Sequence, residues 1–143
     1  MRKIFEFNPV LFPTRVWVTT CTDVCVIARK FYALDDQGEV IEKFPGDTFN
    51  DEKTVAQTTV VQDRKSGIDG CLVTIHRIAD VTPGIMVHEA NHCADWLCDQ
   101  FGIYSCTFQT GETTSYYEQW VTDCIWDVLK KTEGYEIRKR TRK

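Results

Sequence analysis

Histidine is scarce in this sequence, which has three in 143 residues. Also missing is an uninterrupted apolar run long enough to span a membrane. A clean apolar leader is absent as well, because acidic, amide and proline residues interrupt the start of the chain. We therefore expect no membrane segment and no secretory signal. The scarcity of histidine makes the spacing of any two of them informative.

The seven cysteines include no C-x-x-C pair, and an odd number cannot all form disulfides within one chain. We interpret them as reduced, mostly buried small apolar residues. This usage predicts a cytoplasmic protein in a reducing compartment.

Charge is distributed unevenly along the chain. The formal net charge is -4, yet residues 138–143 hold five basic residues and no acidic one, which leaves residues 1–137 with 12 basic and 21 acidic residues. A short charged end is typical of a solvated tail. We predict one domain over 1–137 and a basic, disordered tail over 138–143. The acidic body argues against nucleic-acid binding, except through that tail.

Alternating apolar and β-branched residues predict several strands and one hairpin. The hairpin connection is residues 65–70, where two glycines and an aspartate separate two strand-like segments. Residues 23–34 fit a helix by the spacing of their apolar residues, with a strand as the alternative. The predicted strands span 14–21, 40–44, 58–64 and 71–78.

Two longer helices follow these strands. The first is predicted to begin after Thr82, a good N-cap before proline, and to end at Gly102, a good left-handed cap. One side of it carries an apolar stripe formed by Met86, Ala90, Cys93, Leu97 and Phe101. The opposite side carries four polar residues, His88, His92, Asp95 and Asp99.

The second helix is predicted over about 111–131, because eight apolar or aromatic residues, beginning with Tyr116 and Tyr117, recur every three to four positions. The complete pattern predicts an α+β fold. We expect a small, mostly antiparallel sheet packed on the two helices.

Residues 87–92, VHEANH, contain the pattern H-E-x-x-H. Side chains four apart lie next to each other on a helix, so the neutral imidazoles of His88 and His92 can bind one Zn²⁺. Glu89 projects to the side of the pair, where its carboxylate can take a proton from water and pass it to a leaving amine. The pattern predicts a zinc site with Glu89 as general base. The alternative is a buried helix with two hydrogen-bonded histidines and no metal.

A catalytic zinc site needs a third protein ligand and one open position. We favour Glu112, because it begins the last predicted helix and the connection before it is long enough to fold that helix over the polar face. Glu118 is the competing candidate. It lies inside the helix and off the stripe of Glu112 and Tyr116. If the helix docks through its Tyr116, Trp120 and Cys124 side, Glu118 should face elsewhere.

The two segments VHEANH and GETTSYYEQW resemble the gluzincin branch of zinc metallopeptidases, in which H-E-x-x-H on one helix precedes a glutamate ligand on the next. More narrowly, they are similar to small HExxH proteins encoded by bacteriophages and related elements, which also have a Gly-Ile after the first helix and an acidic residue shortly before Ser-Tyr or Ala-Tyr. The resemblance covers about residues 70–130.

This resemblance implies a small zincin-like fold with His88, His92 and Glu112 as zinc ligands and Glu89 as general base. The chain departs from larger gluzincins at Tyr116, where those proteins often have an aspartate that orients a ligand histidine. Asp95 could supply that carboxylate instead.

The expected function is that of a zinc-dependent metallopeptidase acting on a peptide or protein substrate. Tyr116, or its neighbour Tyr117, is expected to donate to the developing oxyanion, with a position in the core as the alternative. Strand 71–78, expected at a sheet edge, would pair with an extended peptide, and His76 on it is either an oxyanion donor or a structural residue. The alternative function is a non-catalytic, zinc-stapled structural or interaction protein, with Cys106 or Cys124 closing the site. The sequence does not set the oligomeric state.

Overall fold

The computed structural model describes residues 3–44, 49, 53–103 and 111–132. The chain divides into two compact units, Met1–Ile78 and Ala79–Lys143. The first holds a six-stranded sheet and the second two long helices, so the predicted α+β class is confirmed. The single domain over 1–137 stays a prediction. The basic tail 138–143 and Cys106 lie outside the described residues.

The strands of the first unit form one open sheet. They are β1 (Ile4–Phe7), β2 (Arg15–Thr19), β3 (Phe31–Leu34), β4 (Val40–Ile41), β5 (Ala56–Asp63) and β6 (Asp69–Ile75). Their order across the sheet is β1-β2-β6-β5-β3-β4. Only the β2–β6 pair is parallel among the pairs of the described residues. The prediction of a mostly antiparallel sheet is confirmed.

The expectation that residues 71–78 form an edge strand is wrong. β6 lies between β5 and β2, and its pairing with β2 runs from Arg15↔Gly70 to Thr19↔Thr74. Because both of its hydrogen-bonding edges are occupied, β6 cannot add an extended peptide. Within the described residues, the edge strands are β1 and β4.

The segment 23–34 contains both of the structures that its sequence allows. Asp23 accepts a hydrogen bond from the backbone N–H of Cys25 at 2.9 Å and starts a helix, α1 (Val24–Lys30). The helix stops where Phe31 enters β3 and pairs with Asp63 of β5. The helix prediction is therefore correct for residues 24–30 and the strand alternative for residues 31–34.

The core of the first unit forms around Trp17 and Leu72, which face each other across β2 and β6 and are fully buried. The ring of Phe31 meets the Trp17 ring edge-on, with centroids 4.9 Å apart. The indole N–H of Trp17 donates to Glu6 of β1 at 2.8 Å, so the polar end of this large side chain is satisfied.

The second unit contains α2 (Pro83–Phe101) and α3 (Glu112–Lys130). Thr82 caps α2 by accepting from the backbone N–H of Ile85 at 3.3 Å, and Gly102 ends it with a left-handed φ of 62°. Both predicted helices are confirmed. Among the described residues, no helix is both long and apolar enough to cross a membrane.

The apolar stripes of the two helices are buried with three exceptions, of which Trp120 of α3 is half-buried. Phe101, at the end of the stripe on α2, is 39% exposed, and Tyr116 of α3 is 66% exposed. The buried residues of α3 are Tyr117, Val121, Cys124, Ile125, Val128 and Leu129. On the side formed by Tyr116, Trp120 and Cys124, Cys124 is buried, Trp120 is half-buried and Tyr116 is exposed. Docking of α3 through this side is therefore correct at Cys124 and wrong at Tyr116.

Candidate metal centre

His88 and His92 lie on the exposed face of α2. The buried residues of this helix, among them Met86, Ala90 and Leu97, occupy the opposite side. At about 100° per residue, the centre of the histidine pair lies roughly 150–160° from that of the buried stripe. The two imidazoles are therefore accessible to a ligand from solvent.

The imidazoles converge on each other. Their Nε2 atoms are 3.2 Å apart, and the ring planes meet at 86° with centroids 4.8 Å apart. Two nitrogen ligands at roughly 2.0–2.1 Å from a tetrahedral zinc ion are separated by about 3.3 Å. The observed separation fits this arrangement. It also fits an N–H···N hydrogen bond between the rings, which is the alternative without metal.

Glu89 and α3 lie on opposite flanks of the histidine pair. On the helix wheel Glu89 is about 80° to one side of the pair, and Val87 and Cys98 are about 100–120° to the other side. The thiol of Cys98 lies 3.5 Å from the hydroxyl of Thr114, which places the first turn of α3 on that second flank. A carboxylate from α3 could thus approach the pair without displacing Glu89.

A cavity of about 390 Å³ lies between α2 and α3, and its lining includes the residue that precedes His88 in the chain. Val87 is the α2 residue in its wall. The α3 residues that line it are Ser115, Glu118, Gln119, Thr122 and Asp123. Sequence analysis did not predict this cavity. The available signal was the polar series Ser115, Gln119 and Asp123, which recurs every fourth residue along one side of α3.

The structure does not place a third metal-ligating side chain of the described residues at the histidine pair. Within residues 3–44, 49, 53–103 and 111–132, no three His, Cys, Asp or Glu side chains form a group that could hold a metal ion. Glu112 is the exposed first residue of α3, and it lies on the same stripe as Gln119 and Asp123. Glu118 is half-buried and lines the cavity. The assignment of Glu112 stays a prediction.

The other residues considered for the site lie in different surroundings. Tyr116 is exposed on α3, and Asp95 is exposed on the face that carries the histidines. His76 stacks on Phe49, with ring centroids 6.4 Å apart, and its backbone N–H donates to Val55 at 2.9 Å. This packing gives His76 a structural role in the first unit.

Cys124 is buried on the packed side of α3. Burial, followed by the charges of Asp127 and Asp123, raises the pKa of its thiol to about 12. Zinc binds the thiolate, and the two imidazoles are exposed, so these surroundings do not favour Cys124 as a fourth ligand.

Comparison of the chain with protein-family models, with curated protein sequences and with solved structures finds no match.

Proposed function

We propose that the chain is a zinc-dependent metallopeptidase with His88, His92 and Glu112 as ligands and Glu89 as general base. The convergence of the two Nε2 atoms at 3.2 Å on an exposed helix face carries the proposal. A structural zinc site is normally closed off by four protein ligands, whereas a catalytic one keeps a position open. Exposure of both imidazoles favours the open kind of site.

A zinc ion at this position would polarise the substrate carbonyl and make a water molecule acidic near neutral pH. The proton transfers would be carried out by a residue of the chain. Glu89, which is 5% exposed, would accept the proton from the attacking water. As the carbon–nitrogen bond of the peptide breaks, the same carboxyl group would give that proton to the leaving amine. The start of α3, next to Glu112, lies at Cys98, on the flank of the histidine pair opposite Glu89.

The test compares zinc content and peptide hydrolysis in the wild type, Glu89→Gln and His88→Ala. We expect about one zinc per wild-type chain and cleavage of members of a peptide library. Glu89→Gln should keep its zinc and lose activity by about 10²- to 10⁴-fold, because only proton transfer is removed. His88→Ala should lose both the zinc and the activity.

Two outcomes would contradict the proposal in different ways. Wild-type protein that holds zinc and cleaves no library peptide supports the non-catalytic, zinc-stapled alternative. Wild-type protein that binds no zinc at neutral pH means that the histidines are joined only by a hydrogen bond.

A further inference from the structure

The lining of the cavity between α2 and α3 indicates which side chain the cavity would bind. Among the described residues, its wall contains one apolar side chain, Val87, three neutral polar side chains, and the carboxylates of Glu118 and Asp123, with no basic residue. The ion pairs in the described part of the chain do not involve either carboxylate. The lining therefore combines two negative charges with an apolar patch.

We propose that this cavity binds the side chain of an arginine or lysine residue of a peptide. The proposal rests on the proposed function for the role of that peptide as a substrate, and it names the class of side chain recognised beside the reacting bond. Val87 directly precedes His88, so a side chain in the cavity would bring its own backbone close to the histidine pair.

The chemistry of the wall fits a long cationic side chain. Its methylene groups would pack on Val87 while its charged end reaches the carboxylates. The Thr122 hydroxyl donates to the backbone carbonyl of Glu118 at 2.8 Å, which leaves the lone pairs of its oxygen free to accept from a guanidinium or ammonium group. An acidic side chain would be repelled, and a large apolar one would remove water from both carboxylates without replacing it.

The test measures binding separately from hydrolysis. Two blocked alanine-based peptides, one with arginine and one with its neutral isostere citrulline at the same position, are titrated into the full metal-free chain. Binding is followed through the NMR signals of the Val87 methyl groups. We expect the arginine peptide to bind about three- to tenfold more tightly, with a preference that decreases as salt is added.

Asp123→Asn should remove at least about half of this preference for arginine. Asp127→Asn is the control on the same helix, because it removes one negative charge, which is paired with Lys130 at 2.8 Å, at a residue that is not among those lining the cavity. Equal binding of the two peptides would overturn the inference, as would equal effects of the two substitutions.

The inference and the proposed function can fail independently. Selective arginine binding without any zinc-dependent cleavage would support the proposed binding role of the cavity and contradict the proposed peptidase activity. Cleavage without preference for a basic residue supports the peptidase and rejects this role for the cavity.

Discussion

His88 and Glu89 are neighbours in the chain, but the first is exposed and the second is 5% exposed. One step of about 100° around α2 separates them, which is enough to carry a side chain from the solvent face toward the buried stripe. A substrate could therefore reach the imidazole from solvent while the carboxylate stays shielded from bulk water. The interactions of a shielded carboxylate with nearby charges are screened less by water than those of an exposed one.

The first prediction concerns the third ligand. Glu112→Gln should weaken zinc binding by about 100-fold or more, because the amide removes a charged ligand. Glu118→Gln should change it by less than about threefold, since Glu118 lines the cavity beside Val87, which is about 120° around α2 from the histidine pair. Competition with a chromophoric chelator measures both affinities. The reverse ranking would assign Glu118 as the ligand.

Local signals in the sequence were sufficient to place both ends of α2. Thr82 before a proline and Gly102 after the last turn each determine the conformation of their own neighbourhood, so no knowledge of the rest of the fold was needed. The rotation of the histidine pair away from the core follows from the same local geometry. These features were predicted correctly for that reason.

Features that depend on distant pairing were not predictable in the same way. The position of β6 inside the sheet depends on β2, more than 50 residues earlier in the chain, and nothing in residues 71–78 indicates that partner. The spacing of residues 23–34 satisfies helix and strand alike, and pairing with β5 decides where α1 ends. The exposure of Tyr116 is a further example, because the helical spacing of an aromatic residue does not show whether it lies at the centre of an apolar stripe or at its margin.

The second prediction concerns the close approach of β2 and β6. A Cβ atom at Gly70 would overlap the backbone carbonyl oxygen of Arg15 and come within 2.8 Å of the Trp17 ring. Gly70→Ala should therefore lower the free energy of unfolding by about 2–3 kcal/mol. Urea denaturation measures the change.

Gly84→Ala is the control for this substitution. Its Cβ would meet nothing closer than the Thr82 hydroxyl at 3.7 Å, and alanine favours the helix, so stability should stay level or rise by about 0.5 kcal/mol. If the two alanine variants were equally stable, the tight packing at Gly70 would be refuted.

The third prediction concerns Asp63, which accepts hydrogen bonds from Lys30 at 2.9 Å and from the backbone and hydroxyl of Ser66 at 2.8 and 2.7 Å. Burial acts to raise the pKa of the Asp63 carboxyl, but these hydrogen bonds and the Lys30 charge outweigh it and hold the pKa below its ordinary value of 3.8. Asp63→Asn should lower the free energy of unfolding by about 1–3 kcal/mol at neutral pH.

The pH dependence of this effect has a defined sign. Because the folded-state pKa is depressed, the stabilising effect is complete above the unfolded-state pKa and is lost as pH falls through the folded-state pKa. The difference between wild type and Asp63→Asn should therefore begin to shrink near pH 4 and continue to decrease as the pH is lowered further. Urea titrations at several pH values measure it, with the exposed Asp36→Asn as a control. A difference that grows toward acid would reverse the inferred role of Asp63.

The fourth prediction compares two thiols of different accessibility. Cys25 is exposed, whereas Cys124 is buried and its pKa is raised to about 12, first by burial and then by the charges of Asp127 and Asp123. Since the thiolate is the species that reacts, iodoacetamide near neutral pH should modify Cys25 and leave Cys124 intact in the folded chain. Both should react in concentrated guanidinium chloride, and peptide mass spectrometry identifies the modified residues. Labelling of Cys124 in the folded chain within about tenfold of the Cys25 rate would mean that the α2–α3 packing opens readily, because a thiol that stays buried cannot reach the reagent.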